Sequence, residues 1–86
     1  MKHLASPKFW SLYGELPNEV QLTARKCFDL LKSSPEHPSL HFKQLKNRNW
    51  FSARVGIHYR VLGIPVDDGI EWFWIGSHAE YNRLVR

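Results

Sequence analysis

The chain has 86 residues, a length that allows one domain and leaves no room for a second. Its single cysteine excludes an intrachain disulfide, and no apolar run approaches the roughly 20 residues that a membrane-spanning helix needs. The net charge of +4 indicates an acidic partner only if the cations are grouped. Because Met1-Lys2-His3-Leu4 does not resemble a signal peptide, we expect a cytoplasmic protein with no membrane partner.

The first third of the chain has helical periodicity. Ser6-Pro7 is typical of a helix start, because serine caps the first turn and proline fits the first helical position. Apolar residues recur at helical spacing up to Leu16, where Pro17 interrupts the pattern, and a second apolar stripe runs from there to Ser33. We therefore predict two packed helices with a tight corner over residues 7 to 33.

The period then changes to two, which predicts strands. These cover residues 39–46, 50–66 and 70–76, with a turn at 47–49. The segment 67–69 predicts a hairpin turn that could form in two ways. A three-residue loop places Val66 opposite Ile70 and puts His78 on the polar sheet face, whereas a two-residue loop at 68–69 moves His78 to the other face. The tail from residue 77 predicts one short helical turn.

The long predicted strand has one apolar and one polar face. The first carries Ala53, Val55, Ile57, Tyr59 and Val61, and the second carries Ser52, Arg54, Gly56, His58 and Arg60. On a straight strand, Arg54 and Arg60 would lie up to about 20 Å apart. Helices followed by strands indicate an α+β fold with an antiparallel sheet.

The charges near this polar face are of one sign. No Asp or Glu occurs between Glu36 and Asp67. That segment holds Lys43, Lys46, Arg48, Arg54 and Arg60, together with His37, His41 and His58. Antiparallel sheets often keep one face in water, so a merely solvated face is the alternative. Grouped cations without acids favour instead a face that binds phosphate.

Other candidate sites give weaker signals. In "IGSHAEY", His78 could transfer protons near neutral pH and Tyr81 would project beside it, although an isolated histidine at a strand end is usually structural or exposed. His37 and His41 are separated by Pro38 and lack further ligands, so we expect no metal, and no motif for a cofactor is present. Trp50, Trp72 and Trp74 are more typical of a core or a partner contact than of base stacking.

The order of two helices, "HPSLHFKQL", "SARVGIHYRVL" and "WFWIGSHAEY" resembles the RelE/ParE superfamily of bacterial type II toxin–antitoxin toxins. The resemblance covers Ser6 to Leu84, and "RVG-x-x-YR" and "IGSH-x-x-Y" are its most specific parts. It implies one toxin domain over residues 1–86, with an N-terminal two-helix hairpin packed on a curved three- to four-stranded antiparallel sheet. The family usually begins with a strand, which here is short or absent because only Lys2 to Ala5 precede the helices.

The resemblance implies one of two activities. RelE-like members cleave mRNA in the ribosomal A site and inhibit translation, whereas ParE-like members inhibit DNA gyrase without cleaving nucleic acid. For an endoribonuclease, the implied catalytic residues are Arg54, Arg60, His78 and Tyr81, and the implied nucleic-acid-binding residues are Lys43, Lys46, Arg48 and His58, of which His58 is assigned from its place on the basic strand. A cognate antitoxin is the implied partner. A non-toxic nucleic-acid-binding module is a third hypothesis.

Overall fold

The helices form where the apolar spacing predicts them, and the strands depart from the prediction at four places. The computed structural model describes residues 2–46 and 48–85, so the predicted turn at 47–49 lies partly outside the described residues at Asn47. The elements are β1 (Lys2–Ala5), α1 (Pro7–Gly14), α2 (Asn18–Ser33), a 3₁₀ helix (Pro38–Leu40), β2 (Lys43–Gln44), β3 (Phe51–Val55), β4 (Tyr59–Val66), β5 (Gly69–Ser77) and α3 (His78–Leu84). The five described strands form one sheet in the order β1-β5-β4-β3-β2.

The sheet has a core on each face. Helices α1 and α2 cover the first face, where the largest buried side chains include Phe9, Leu31, Val61, Ile70 and Trp72. The predicted helix pair is present: Ser6 Oγ caps α1 by accepting a hydrogen bond from Phe9 N at 3.2 Å, and Phe9 and Phe28 pack the two helices edge to face. At the corner between the helices, Gln21 Nε2 donates to the carbonyl oxygen of Leu16 at 3.2 Å. On the other face α3 contributes Tyr81 to a smaller core with Leu62 and Trp74.

The predicted long strand over 50–66 is wrong, because the chain reverses in a three-residue turn at 56–58. Gly56 has a φ of 62°, a left-handed conformation that glycine adopts without strain. The strands on each side, β3 and β4, are antiparallel and pair Val55 with Tyr59. Ile57, predicted to lie on the helix side, is 73% exposed at the tip of this turn.

The predicted strand over 39–46 is mostly absent. Pro38 begins a 3₁₀ helix that continues to Leu40, and His41 follows with a φ of 44°. Neither conformation is extended, so the strand is confined to Lys43–Gln44 at the edge of the sheet. A proline fixes its own φ near −65°, a value compatible with this helical turn, and period-two spacing alone could not reveal that.

Both predicted loops at 67–69 are wrong. The turn consists of Asp67 and Asp68, and Val66 pairs directly with Gly69. Gly69 is needed for another reason: a Cβ there would lie 1.9 Å from the carbonyl oxygen of Lys2, so only glycine lets β1 approach. A bulge between Leu62 and Gly63 shifts the later pairing, so that Tyr59 faces Ser77.

Strand β1 adds a parallel edge to the sheet, which corrects the predicted three- to four-stranded antiparallel arrangement. It pairs with β5 from Lys2↔Gly69 to Ala5↔Trp72. The indole N–H of Trp72 donates to Nδ1 of His3 at 3.1 Å. Burial and the nearby Lys32 lower the pKa of His3, which favours the neutral ring that can accept this bond.

The C-terminal segment is a seven-residue helix, longer than the predicted single turn. Ser77 and Glu80 form a capping box in which each side chain accepts from the other residue's backbone N–H. This reciprocal cap fixes the start of α3 directly at the end of β5. No helix among the described residues is both long and apolar enough to cross a membrane.

The turn at Gly56 generates a stability prediction. Gly56→Ala should lower the free energy of unfolding by about 1–2 kcal/mol, because a residue with a Cβ is strained in the left-handed conformation. The new Cβ would lie 3.6 Å from Thr23 Cγ2, so no steric clash contributes. Chemical denaturation measures the change. The control is Gly14→Ala, whose Cβ meets nothing within 4 Å and which should be neutral or stabilising; an equal loss in both variants would contradict the assignment.

Candidate functional site

The hairpin places Arg54 and Arg60 directly opposite each other on β3 and β4. Opposed residues of antiparallel strands have Cα atoms about 4.5–5.5 Å apart, far less than the separation expected on a straight strand. Both side chains are half-buried on the sheet face that α3 covers. The structure therefore joins the two arginines into one positively charged group.

The two guanidinium groups lack a compensating negative charge. The only ion pair among residues 2–46 and 48–85 joins Lys2 to Asp68, at another part of the sheet. Arg60 Nη1 donates to the carbonyl oxygen of Tyr59 at 3.0 Å, and its guanidinium carbon lies 5.8 Å from the Tyr81 ring centroid. Desolvation and the adjacent Arg54 lower the pKa of Arg60. Arg54 Nε is buried and has no hydrogen-bond partner among the described residues.

A cavity of about 250 Å³ opens above the arginine pair. Its polar lining consists of the cationic side chains of Lys43, Arg54 and Arg60, the imidazoles of His41 and His78, and the side chains of Ser52, Tyr81 and Asn82. None of the described residues that line it is Asp or Glu. An anion with several acceptor oxygens, such as a phosphate group, matches these donors in charge and hydrogen bonding.

Helix α3 positions His78 and Tyr81 at this cavity. The His78 backbone N–H donates to the carbonyl oxygen of His58 at 2.7 Å, which ties the helix start to the hairpin turn. The Tyr81 hydroxyl donates to Ser52 Oγ at 3.3 Å, and the tyrosine is only 8% exposed. The exposed His78 ring stacks on Tyr81 with centroids 6.4 Å apart, and its Nδ1 lies 3.3 Å from Asn82 Nδ2. His78 thus offers an accessible ring nitrogen, whereas the Tyr81 hydroxyl is held inside.

The structure brings together five of the eight residues proposed from the sequence, namely Lys43, Arg54, Arg60, His78 and Tyr81. Lys46 and Arg48 lie at an open depression in the β2–β3 connection, where the Arg48 guanidinium carbon is 4.7 Å from the Trp50 ring centroid. His58 lines a groove between the hairpin turn and the start of α2. These three do not line the arginine cavity.

His41, Ser52 and Asn82 also line the cavity but were not among the site residues proposed from the sequence. Ser52 was placed only on the polar strand face, and His41 only in the acid-free basic segment and as a possible metal ligand. No described group of three or more His, Cys, Asp or Glu residues could hold a metal ion. Asn82 follows His78 by four residues, a spacing that places both on one side of α3. That spacing was the available signal for Asn82, but it required the tail to be read as a full helix.

Of the three tryptophans in the strand region, Trp72 and Trp74 serve as core residues. Trp72 is 1% exposed in the first core and Trp74 is buried in the second. Trp50 is half-buried and packs edge to face on Phe73, with centroids 5.2 Å apart. Trp72 and Trp74 lie in different cores because of the bulge in β5: Trp72 pairs with Gly63 and Trp74 with Leu62, which leaves Phe73 as an extra residue. This extra residue turns Trp74 to the face opposite Trp72.

Comparisons with known proteins identify the domain and the fold. A family model described as the ParE-like toxin domain matches residues 18–83. No curated protein matches the sequence. Solved structures with a similar fold have low sequence identity to this chain, and three of them align over nearly all of both chains.

The RelB–RelE antitoxin–toxin complex from Methanococcus jannaschii has a chain with a TM-score of 0.73 at 16% identity, covering 96% of this chain and 99% of that one. YafQ from E. coli strain BL21(DE3) also has a TM-score of 0.73, at 13% identity, covering 93% and 96%. The YoeB/ParE toxin from Agrobacterium tumefaciens has a TM-score of 0.68 at 16% identity, covering 91% and 99%.

The arginine pair generates a prediction about stability. Arg54→Met keeps an apolar stem but removes a like charge and an unpartnered buried Nε, so the free energy of unfolding should rise by roughly 0.5–1 kcal/mol. Denaturation at low salt measures the rise. Added salt should make the difference between the variant and the native protein smaller, because salt screens the repulsion between Arg54 and Arg60 in the native protein. Arg83→Met, on the exposed side of α3, is the matched control. If Arg54→Met lowers the free energy of unfolding and Arg83→Met does not, repulsion between Arg54 and Arg60 does not destabilise the native protein.

Proposed function

The chain belongs to the ParE-like toxin domain family, and we propose that it is the toxin of a toxin–antitoxin pair that cleaves mRNA on the ribosome without a metal ion. Translation is inhibited because the message is cut. A ribosomal target requires a cytoplasmic protein. The observation that carries this proposal is the opposed, uncompensated pair of Arg54 and Arg60 in a cavity that His78 also lines.

The arginines supply the electrostatic part of the reaction. When a ribose 2′-oxygen attacks the adjacent phosphorus, negative charge increases on the non-bridging phosphate oxygens. Guanidinium groups fixed beside those oxygens stabilise that charge without reorganising, and each forms charge-assisted hydrogen bonds. Lys43, at the rim of the same cavity, binds a neighbouring phosphate of the backbone.

His78 and Tyr81 have different roles. The imidazole of His78 is exposed and transfers a proton to or from the reacting oxygens. Tyr81 is buried with its hydroxyl on Ser52, and its ring lies beside Arg60 and His78. It therefore fixes the position of both groups and does not exchange protons itself, which narrows the role implied by the sequence.

A cognate antitoxin is the proposed protein partner. One solved structure of similar fold is a RelB–RelE antitoxin–toxin complex. Because the cavity is lined by cations and the chain carries a net charge of +4, an acidic segment of the antitoxin fits this surface electrostatically.

Cleavage on the ribosome is the test of the ribonuclease proposal. Purified protein is added to ribosomes carrying a defined mRNA, and new 5′ ends are mapped. Arg54→Ala, Arg60→Ala and His78→Ala should each reduce the cleavage rate by about 10²–10³-fold, the usual effect of removing one charge-stabilising or proton-transfer group. Lys26→Ala, on the exposed side of α2, is the control and should cleave normally. Absence of new ends with the native protein would reject the proposal.

Gyrase inhibition is the second candidate, favoured by the description of the matching family as ParE-like. In this function the protein binds gyrase and performs no chemistry. A supercoiling assay with purified gyrase tests it: inhibition that survives His78→Ala and Tyr81→Phe is the expected result for a binding inhibitor. Unimpeded supercoiling at a large excess of the native protein would reject it.

A further inference from the structure

His41 is held in an unusual backbone conformation beside the arginine cavity. Its φ of 44° makes it the only non-glycine residue with a positive φ among the described residues. Such a conformation costs a residue with a Cβ on the order of 1–3 kcal/mol, and it is concentrated at functional positions. Its backbone N–H closes the 3₁₀ turn on Pro38, while no hydrogen bond from residues 2–46 and 48–85 engages its imidazole. The strained backbone therefore holds the His41 side chain at the cavity, while its imidazole has no hydrogen-bond partner among the described residues.

The order of the strands shows on which side of the cavity that ring lies. His41 precedes β2 by two residues and lines the cavity together with Arg54 and Arg60. Arg54 pairs with Arg60, and Arg60 pairs with Gly76 on β5. His78 is the first residue of α3, directly after β5. In the strand order β5-β4-β3-β2 the two arginines lie on the two middle strands, so His41 lines the cavity from the β2 side and His78 from the β5 side.

The groups facing both imidazoles are known from the elements around the cavity. Lys43 faces them from β2, Arg54 from β3, Arg60 from β4, and Tyr81 and Asn82 from α3. The nearest acidic side chain on α3, Glu80, accepts hydrogen bonds from Ser77 in the capping box. The cavity therefore combines the imidazoles of His41 and His78 with fixed positive charge, which is the composition needed to bind a phosphodiester and move two protons.

We infer that His41 is the second proton-transfer group of this cavity and that it acts with His78 on opposite sides of the scissile phosphate; the inference rests on the proposed ribonuclease function. One neutral imidazole accepts the proton of the 2′-hydroxyl while the 2′-oxygen forms a bond to phosphorus. The bond from phosphorus to the 5′-oxygen breaks, and the other imidazole, protonated, donates its proton to that oxygen. The products are a 2′,3′-cyclic phosphate and a 5′-hydroxyl, and no further reactant is needed.

The other polar groups at the cavity do not suit this role. A lysine ammonium such as that of Lys43 donates hydrogen bonds but has no free acceptor. The Tyr81 hydroxyl is directed into the protein on Ser52. Imidazole both accepts and donates protons near neutral pH, so a pair of histidines can perform both transfers in one step.

Glycine substitution separates chemistry from folding at this position. His41→Gly removes the imidazole but relieves the left-handed strain, so the melting temperature should stay unchanged or rise. On programmed ribosomes the cleavage rate should fall at least 100-fold, and added free imidazole should restore part of it by entering the vacated space. His41→Gln should be equally slow but should not respond to imidazole. His37→Asn is the control, since it keeps an acceptor for the Ser39 N–H outside the cavity and should cleave normally.

The pH dependence of single-turnover cleavage gives a second readout. The native protein should show a rate that rises and then falls with pH, because one imidazole must be neutral and the other protonated. His41→Gly should lose one of the two limbs and His78→Gly the other. If the native protein cleaves and His41→Gly cleaves at the same rate with both limbs intact, the role of His41 is overturned while the ribonuclease function stands. If the native protein does not cleave, both are overturned.

Discussion

Two positive charges held against each other on neighbouring strands are the constraint around which this sheet face is organised. Like charges directly opposite in a sheet destabilise it, and burial adds to the cost because water can no longer screen them well. The protein nevertheless keeps Arg54 and Arg60 together and supplies only a backbone carbonyl and an aromatic ring as partners. Such local disagreement with the rules of stability is typical of functional sites, where the missing partner is a ligand.

The two faces of the sheet have different roles: one carries the larger core and the other carries the candidate site. Helices α1 and α2 bury large aromatic and aliphatic side chains on one face and form the larger of the two cores. The other face has a small core, and α3 places His78 and Tyr81 beside the arginines. The bulge at Phe73 makes the division possible within one strand, since it commits Trp72 to one core and Trp74 to the other. Without it, the final residues of β5 would direct their side chains to the wrong faces.

The sequence placed Arg54 and Arg60 on a common sheet face but at the wrong separation, and the even difference between their positions explains why. Arg54 and Arg60 differ by six positions, so they share a face both on a straight strand and across a three-residue hairpin. Alternation therefore identified the face correctly while giving a wrong separation. Gly56 was the only local indication of the turn, and a glycine within an alternating run is also compatible with a continuous strand.

Long-range contacts were the least predictable features. The pairing of β1 with β5 depends on Gly69, whose missing side chain admits the Lys2 backbone; no short-range pattern encodes this approach. His41 was not among the proposed site residues because its place at the cavity depends on the short strand β2 meeting β3, and its left-handed conformation does not follow from its residue type. Local propensity specified the helices, whereas tertiary pairing specified the site.

The paired elements differ in how far apart they lie in the sequence, and this difference has a consequence for folding. The hairpin that joins the arginines needs only local contacts and can form quickly. The rest of the cavity needs α3, and the sheet is closed only when residues 2–5 meet residues 69–72. The opposition of the two arginines therefore depends on pairing between neighbouring residues, whereas the cavity around them depends on contacts that span nearly the whole chain.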